Sequence, residues 1–365
     1  MADHLEHLRS AIAIDDDPLQ RKVALAALRD IGFTELFEAA DGVQALATMA
    51  AASGLNVVGT MQKPLHRTKL REFVLSLDQS ARSVLQVPAS DAMTADEVQK
   101  GLSAHQFVAY FQPKIDLHTG TLIGAEALAR WQHPQLGIIS PARFIATAEA
   151  SGLIGELTWQ ILDHSMLALS SWIEQKMDLK VSVNLTVGFL ERDAIADEIL
   201  ALAERYKVPP SSIMLELTES MAASDVGAMV GNLARLRMRG FGLSIDDFGT
   251  GYSSLQQLSR VPFSELKVDR SFVSGASTQP HLRAILESSV QLGKRLGLMT
   301  TAEGVETGEE LSLVRAIGCD IAQGYYFARP MNAADFSQWA VKWAAEHQQP
   351  GPLPAAAAGT PVAQA

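Results

Sequence analysis

The sequence predicts an α/β protein: a β/α barrel of about 240 residues behind a smaller α/β segment. Three observations carry this. From Phe107 to about Ala345, short apolar runs alternate with longer amphipathic stretches. Polar and acidic residues recur near the C-terminal ends of those runs. A shorter alternation of the same kind occupies residues 1–77.

The elements follow in order. Residues 11–14 form an apolar run leading into Asp15-Asp16-Asp17, and Pro18 precedes an amphipathic stretch with Val23, Leu25 and Leu28. Residues 36–40 read as a second strand, ending at the turn signal Asp41-Gly42. A helical stretch, the run Leu55-Asn56-Val57-Val58 and Lys63-Pro64 complete a β-α-β-α, then β-α order. Residues 78–93 hold no firm period and read as a linker. Thr94 opens a helix, because Thr94 and Glu97 have capping-box spacing and Val98 and Leu102 share a face. The eight runs of the larger domain, residues 94–345, are 108–115, 122–128, 181–185, 213–217, 241–245, 265–268, 298–302 and 320–327. Residues 346–365 are rich in Ala and Pro, lack apolar bulk and are expected to be disordered.

Composition excludes several classes. A net charge of −11 argues against a duplex nucleic-acid binder, which needs a basic footprint. Cys319 is the single cysteine, so no intramolecular disulfide and no cysteine zinc site can form. It reads as a small buried hydrophobe. The first ten residues lack a signal-peptide pattern, and no run of about 18 apolar residues exists. A cytoplasmic protein without a membrane span is the expectation.

The residues at the strand ends point to chemistry. Glu126, Asn184, Glu216, the pair Asp246-Asp247, Lys267, Asp269, Glu303 and Gln323 lie near successive run ends, with Glu306 three residues after Glu303. In a β/α barrel these ends converge on one face, where active sites are built. One such acid is usually a helix cap or a solvated carboxylate. Five carboxylates converging without a cation would repel one another and raise their pKa values. An oxygen-only set of Glu, Asp and Asn suits Mg²⁺ or Mn²⁺ rather than Zn²⁺, and adjacent aspartates can serve two ions. A lysine among them can orient a water. His133 reads as loop structure, and Trp159 and Trp172 as core.

Longer motifs carry a family resemblance. The segments Gln112-Pro113-Lys114, Glu126-Ala127-Leu128-Ala129-Arg130, Glu216-Leu217-Thr218-Glu219, Asp246 to Leu255, Lys267-Val268-Asp269, Glu303-Gly304-Val305-Glu306 and Gln323-Gly324-Tyr325 resemble the EAL family of cyclic di-GMP phosphodiesterases. The resemblance spans about residues 95–345. It implies a modified (β/α)8 TIM-type barrel whose first strand is antiparallel. It implies two Mg²⁺ or Mn²⁺ ions held by Glu126, Asn184, Glu216, Asp246, Asp247 and Glu303, with Lys267 on the nucleophilic water and Glu306 supporting the site. Glu126, Lys267, Glu303 and Glu306 are the implied catalytic set. Gln112, Leu128, Arg130, Asp269 and Gln323 are the implied substrate contacts. The loop Phe248, Gly249, Thr250, Gly251, Tyr252 and Ser253, anchored by Glu219, resembles one that couples metal binding to dimerisation, so a homodimer or higher homo-oligomer is expected.

Residues 1–77 resemble response-regulator receiver domains through Asp15-Asp16, Asp41-Gly42 and Lys63-Pro64. The distance from Asp15 to Lys63 is about half what such a domain needs, and the strand bearing the phosphoacceptor has no counterpart. A truncated receiver unresponsive to phosphorylation is therefore expected, and a sensor kinase or another regulator is its candidate partner. The EAL resemblance of residues 95–345 implies hydrolysis of cyclic di-GMP to linear pGpG. A catalytically silent cyclic di-GMP receptor is the alternative, opposed by the intact ligand set. A barrel hydrolase acting on another phosphodiester is a third reading, which nothing in the sequence favours.

Overall fold

The computed structural model describes residues 10–14, 35–39, 92–190, 192, 194–218, 226–249, 258 and 261–347. The chain divides into two compact units, Met1–Ser90 and Asp91–Ala365. In the first, β1 (Ser10–Ile14) pairs in parallel with β2 (Glu35–Ala39), Ile12 standing opposite Phe37. Parallel neighbours need a crossover, as the expected β-α-β order requires. The crossover, the two Asp motifs, Lys63-Pro64 and most of the expected linker lie outside the described residues. So does most of the expected C-terminal tail.

The second unit opens with α1 (Ala95–Ser103), where the capping box between Thr94 and Glu97 forms and Val98 and Leu102 are buried. Met93, placed in the linker by composition, is already core: it is buried and its amide donates to Arg143 O. The strands and helices that follow are β3 (Phe107–Asp116), β4 (Leu122–His133), β5 (Gly137–Ile139), α2 (Ile145–Ala150), α3 (Ile154–Glu174), β6 (Lys180–Leu185), α4 (Val187–Leu190), α5 (Ile195–Arg205), β7 (Ile213–Thr218), α6 (Val226–Met238), β8 (Gly242–Phe248), β9 (Glu265–Val268), α7 (Arg270–Val273), α8 (Pro280–Arg295), β10 (Met299–Ala302), α9 (Gly308–Ile317), β11 (Ile321–Gln323) and α10 (Ala333–Glu346).

The strands are hydrogen-bonded in the order β3-β11-β10-β9-β8-β7-β6-β4-β5, and a β3–β4 ladder closes the circle. Eight strands form the barrel, with β5 added as a hairpin on the end of β4. β3 is antiparallel to both neighbours and the other barrel pairs are parallel. This is the modified barrel with a reversed first strand.

Outside the barrel, apolar residues meet the helices. Phe111, Trp172 and Phe336 join β3, α3 and α10, with Trp172 and Phe336 stacked at 4.6 Å between centroids. Phe107, Trp131 and Phe144 form a second cluster. Trp172 is buried as expected, and Trp159 is partly buried. Cys319 is buried, and burial pushes its thiol up to about 11. His133 Nδ1 accepts from the amides of Gln135 and Leu136, so it shapes the β4–β5 turn.

Three strand limits differ from the periodicity. β4 continues to His133, because past Ala127 it leaves β6 and keeps β3 and β5 as partners. β8 runs through the aspartate pair to Phe248 instead of stopping before it. β11 is three residues long. It ends where Gly324 presses against the Val305 backbone, whose amide donates to Gln323 O and whose carbonyl accepts from Tyr326 N.

A Cβ at position 324 would overlap the Val305 main chain, which cannot yield as a side chain can. Gly324→Ala is expected to lower the melting temperature by at least about 5 °C, an overpacking cost of roughly 2–3 kcal/mol. Gly188→Ala, whose Cβ meets nothing within 4 Å, serves as the control and is expected to change it by under about 1 °C. Equal, small shifts in thermal unfolding would refute the packing account.

Candidate active site

The inward residues of neighbouring strands build one acidic cluster. Glu126 on β4 stands opposite Gln112 on β3 and Ser182 on β6. It is the next-to-last residue of the β4–β6 ladder, so it occupies a strand end in the barrel although β4 itself continues. Asn184 on β6 pairs with Glu216 on β7. Asp246 lies on β8, Lys267 on β9 and Gln323 on β11, while Glu303 follows β10 with its amide bound to Val268 O.

Alternation along a strand would send Asp246 and Asp247 to opposite faces. The β8–β9 register shifts here: Ile245 faces Leu266 and Phe248 faces Val268, so two aspartates share the space of one opposing residue. Asp247 takes a left-handed backbone, φ 54°, and its amide donates to Asp246 Oδ1 at 3.0 Å. Such a bulge re-aims a side chain. As a result, carboxylate oxygens of Asp246, Asp247 and Glu303 come within 4.8 Å of one another, as do those of Glu126, Glu216 and Asp246. Asp246 belongs to both triads.

The Lys267 ammonium lies among them, 2.6 Å from Glu216 Oε2, 2.9 Å from Asp246 Oδ1, 2.5 Å from Glu303 Oε1 and 3.7 Å from Glu126 Oε2. Burial would lower its pKa, but Asp246, Glu126, Glu216 and Glu303 hold it well above the ordinary lysine value. It therefore stays charged and acts as a donor. Burial pushes Glu126 up to about 7 against the pull of Lys267, and pushes Glu303 well above the carboxylate range. Asp247 rises to about 6 through burial and the charges of Asp246 and Asp269. Glu216 moves the other way: burial raises it, but Lys267 and Lys114 outweigh burial.

Amides complete the wall. Asn184 Nδ2 donates to Glu126 Oε1 at 2.9 Å, and Gln323 Nε2 donates to Glu126 Oε2 at 2.6 Å and to Gln112 Oε1 at 3.1 Å. Gln112 Nε2 reaches Ala328 O. Gln323 Oε1 is buried beside the acids with no hydrogen-bond partner among the described residues. A buried orphan acceptor and an all-oxygen donor set both fit a site that takes cations together with a hydrogen-bonding ligand.

Other expected site residues sit at the margin. Leu128 and Arg130 lie on the part of β4 beyond its ladder with β6; Arg130 Nη1 donates to Ala129 O and its guanidinium stands 5.8 Å from the Tyr110 ring centroid. Asp269 caps α7 by accepting from Ser271 N. Glu306 is exposed, 3.9 Å from Arg270, and is not drawn into the cluster. Phe248 is buried and Gly249 has φ 98°. Glu219, Thr250, Gly251, Tyr252 and Ser253 lie outside the described residues.

Two charged residues went unassigned in the sequence. Lys114 and Glu265 are buried inside the barrel, 2.6 Å apart, below the cluster. The available signal was position: each is two residues from an inward site residue, Gln112 and Lys267 respectively.

Residues 95–330 match the EAL domain family. The chain belongs to this family. The cyclic di-GMP phosphodiesterase RocR of Pseudomonas aeruginosa is 32% identical over 381 residues, 90% of this chain and 97% of RocR. The bifunctional diguanylate cyclase/cyclic di-GMP phosphodiesterase MucR of the same species is 37% identical over 262 residues, 72% of this chain and 37% of MucR. The solved structure of the MucR phosphodiesterase in complex with c-di-GMP has a TM-score of 0.63 at 38% identity, covering 66% of this chain and 98% of that one. The EAL barrel, its acid cluster and Lys267 thus stand within the matched region. Among the described residues no helix is long and apolar enough to cross a membrane.

The raised carboxylates have a stability consequence. Between about pH 4.5 and 7 the folded protein keeps a proton on Glu126 that the unfolded chain has released. Stability is then fully present below the unfolded value and falls as pH rises through the folded one. Glu303 and Asp247 act in the same direction. With a chelator present, the melting temperature is expected to drop by several degrees from about pH 5.5 to about pH 8, with Glu126 alone costing on the order of 2 kcal/mol over that range. A flat or rising profile in calorimetry would contradict this.

Proposed function

We propose that the protein is a divalent-metal-dependent phosphodiesterase that opens cyclic di-GMP to linear pGpG. The carrying observation is the sharing of Asp246 between two carboxylate triads at one end of the barrel. EAL phosphodiesterases depend on divalent metals, and the named activities of RocR and MucR support the substrate. Five ionised carboxylates against the Lys267 ammonium leave four negative charges, the charge that two divalent cations balance. Glu126, Asn184, Glu216, Asp246, Asp247 and Glu303 would hold them. Their oxygen donors favour Mg²⁺ or Mn²⁺. When bound, such ions supply Lewis acidity and charge compensation for attack at phosphorus.

The chain's own residues do the rest. Asn184 spends its Nδ2 on Glu126, which leaves Oδ1 as its donor atom for a cation. Lys267, held as an ammonium, orients the attacking water. Gln323 Oε1 offers a fixed acceptor, and Arg130 presents its charge to a phosphate at the rim. Water adds in line to phosphorus as the bond to the ribose 3′-oxygen breaks, and the proton lost by the water ends on that oxygen. Leu128 and Asp269 bound the substrate site, and Glu306 fixes the turn after Glu303, since its amide is tied to Glu310. The parallel β1–β2 pair supports residues 1–77 as a shortened receiver domain, and a regulator is the partner such a domain would take. The loop from Phe248 to Ser253 with Glu219 couples metal binding to homodimerisation.

Incubation of the purified protein with cyclic di-GMP and Mg²⁺ or Mn²⁺ is expected to yield the linear dinucleotide by chromatography. Binding with unchanged substrate would support the silent-receptor reading instead. Glu126→Gln, Asp246→Asn and Glu303→Gln are each expected to reduce turnover below about 1% of wild type, a loss of about 3 kcal/mol or more of transition-state stabilisation, with the fold intact. Near-normal turnover in any of the three would sink the metal assignment.

Lys267→Met separates orientation from binding. A donor that acts on the attacking water affects the transition state more than the bound substrate. The expected result is a fall in kcat of about 100-fold or more with KM changed only a few-fold. Equal changes in both would make Lys267 a substrate clamp.

A further inference from the structure

Beneath the acid cluster the barrel interior stays polar. Lys114, Ser182, Ser244, Glu265 and Thr301 fill the next layer, each at most 4% exposed. Interior layers of such barrels are ordinarily branched aliphatic residues. Lys114 Nζ spans this layer from β3, lying 2.6 Å from Glu265 Oε1, 3.0 Å from Ser182 Oγ and 3.4 Å from Glu216 Oε1. Thr301 Oγ1 donates to Glu265 Oε1 at 2.7 Å. Glu216 thus has one ammonium on each oxygen: Lys267 on Oε2 and Lys114 on Oε1.

We propose that Lys114 is a positioning residue, which holds Glu216 by its lower oxygen and so fixes the carboxylate that the cations require. The proposal rests on the divalent-metal reading of the cluster. A buried ion pair is weak evidence for stability, because a well-packed apolar layer of the same volume is often as stable or more so. What an apolar layer lacks is a directed charge under Glu216. Lys114 provides one, and Glu265 balances it, so the layer adds no net charge to the site above. Lys114 is buried, and Glu216 is the cluster carboxylate that its ammonium reaches. Groups that orient metal ligands commonly change metal affinity by about 10–100-fold when removed.

Lys114→Met by itself strands Glu265 as a buried, unpaired charge, and loss of folding there would say nothing about Glu216. Two further variants isolate the effect in the full-length protein. Lys114→Met combined with Glu265→Gln removes the pair together and keeps an acceptor for Thr301. Glu265→Gln alone leaves Lys114 free to hold Glu216. Mn²⁺ binding is measured by calorimetry without substrate, melting temperature in chelator, and kcat and KM at saturating Mn²⁺. The double variant is expected to melt within a few degrees of wild type yet bind Mn²⁺ at least about 10-fold more weakly, with kcat partly recovered at saturating metal. Glu265→Gln is expected to bind Mn²⁺ within about 3-fold of wild type. Wild-type Mn²⁺ affinity in the double variant overturns the proposal, as does an equal loss in both variants. Absence of Mn²⁺ binding by the wild-type protein overturns the metal reading itself, and the proposal with it.

Discussion

The ammonium of Lys267 is the counter-charge around which the centre of the barrel is arranged. Strand closure brings Glu126, Glu216, Asp246 and Glu303 together whether or not their charges are balanced, because each occupies an inward position near a strand end. Two unit charges 4 Å apart interact by about 4 kcal/mol at an effective dielectric of 20, so an uncompensated set would oppose folding. A lysine suits the place better than an arginine: its charge is compact, and its unbranched stem fills space along β9. One ammonium cannot balance five acids. Burial, together with the repulsion that remains, raises the carboxylate pKa values, Glu126 to about 7 and Asp247 to about 6. The site is therefore built with a deficit of positive charge, and divalent cations are the ligands that deficit selects.

The second constraint is local. A regular β8 would give the cluster one aspartate. The bulge gives it two, at the expense of a left-handed backbone at Asp247, a conformation costing about 1–2 kcal/mol for an L-residue. Aspartate tolerates this region better than most side chains, and the Asp247 amide finds an acceptor in Asp246 Oδ1. The strain sits where two triads meet through Asp246, a place where stored strain serves function. A straight strand would relieve it and dissolve the second triad.

These features differ in how far they could be read from the chain alone. The eight barrel strands and the ring of site residues were legible, because a closed β/α barrel turns a one-dimensional pattern, a polar residue near each strand end, into a circle. The β4 extension was not, since past Ala127 the strand depends on pairing with β3 and β5 rather than on its own periodicity. The bulge was hidden for a related reason: alternation assigns faces but not register, and adjacent aspartates look alike in either. The short β11 follows from the approach of Gly324 to Val305, a contact between the turns that leave the paired strands β10 and β11, which strand periodicity does not encode. Lys114 was visible as a lysine in an apolar strand. Its role depended on partners contributed by β6, β7 and β9, which no local pattern reveals.

A polar interior shifts the burden of stability outward. The cluster and the layer under it contribute ion pairs whose desolvation cost rivals their attraction, so apolar burial must come from the contact between barrel and helices. The aromatic groups there are extensive: Phe107, Trp131 and Phe144 on one side, Phe111, Trp172 and Phe336 on another, each joining strands to helices. Large aromatic side chains supply the largest apolar areas per residue. Separating the two roles in space lets the interior be charged, strained and rich in hydrogen-bonding groups without dissolving the fold. It also explains why the site can carry an orphan acceptor such as Gln323 Oε1: the shell outside pays for it.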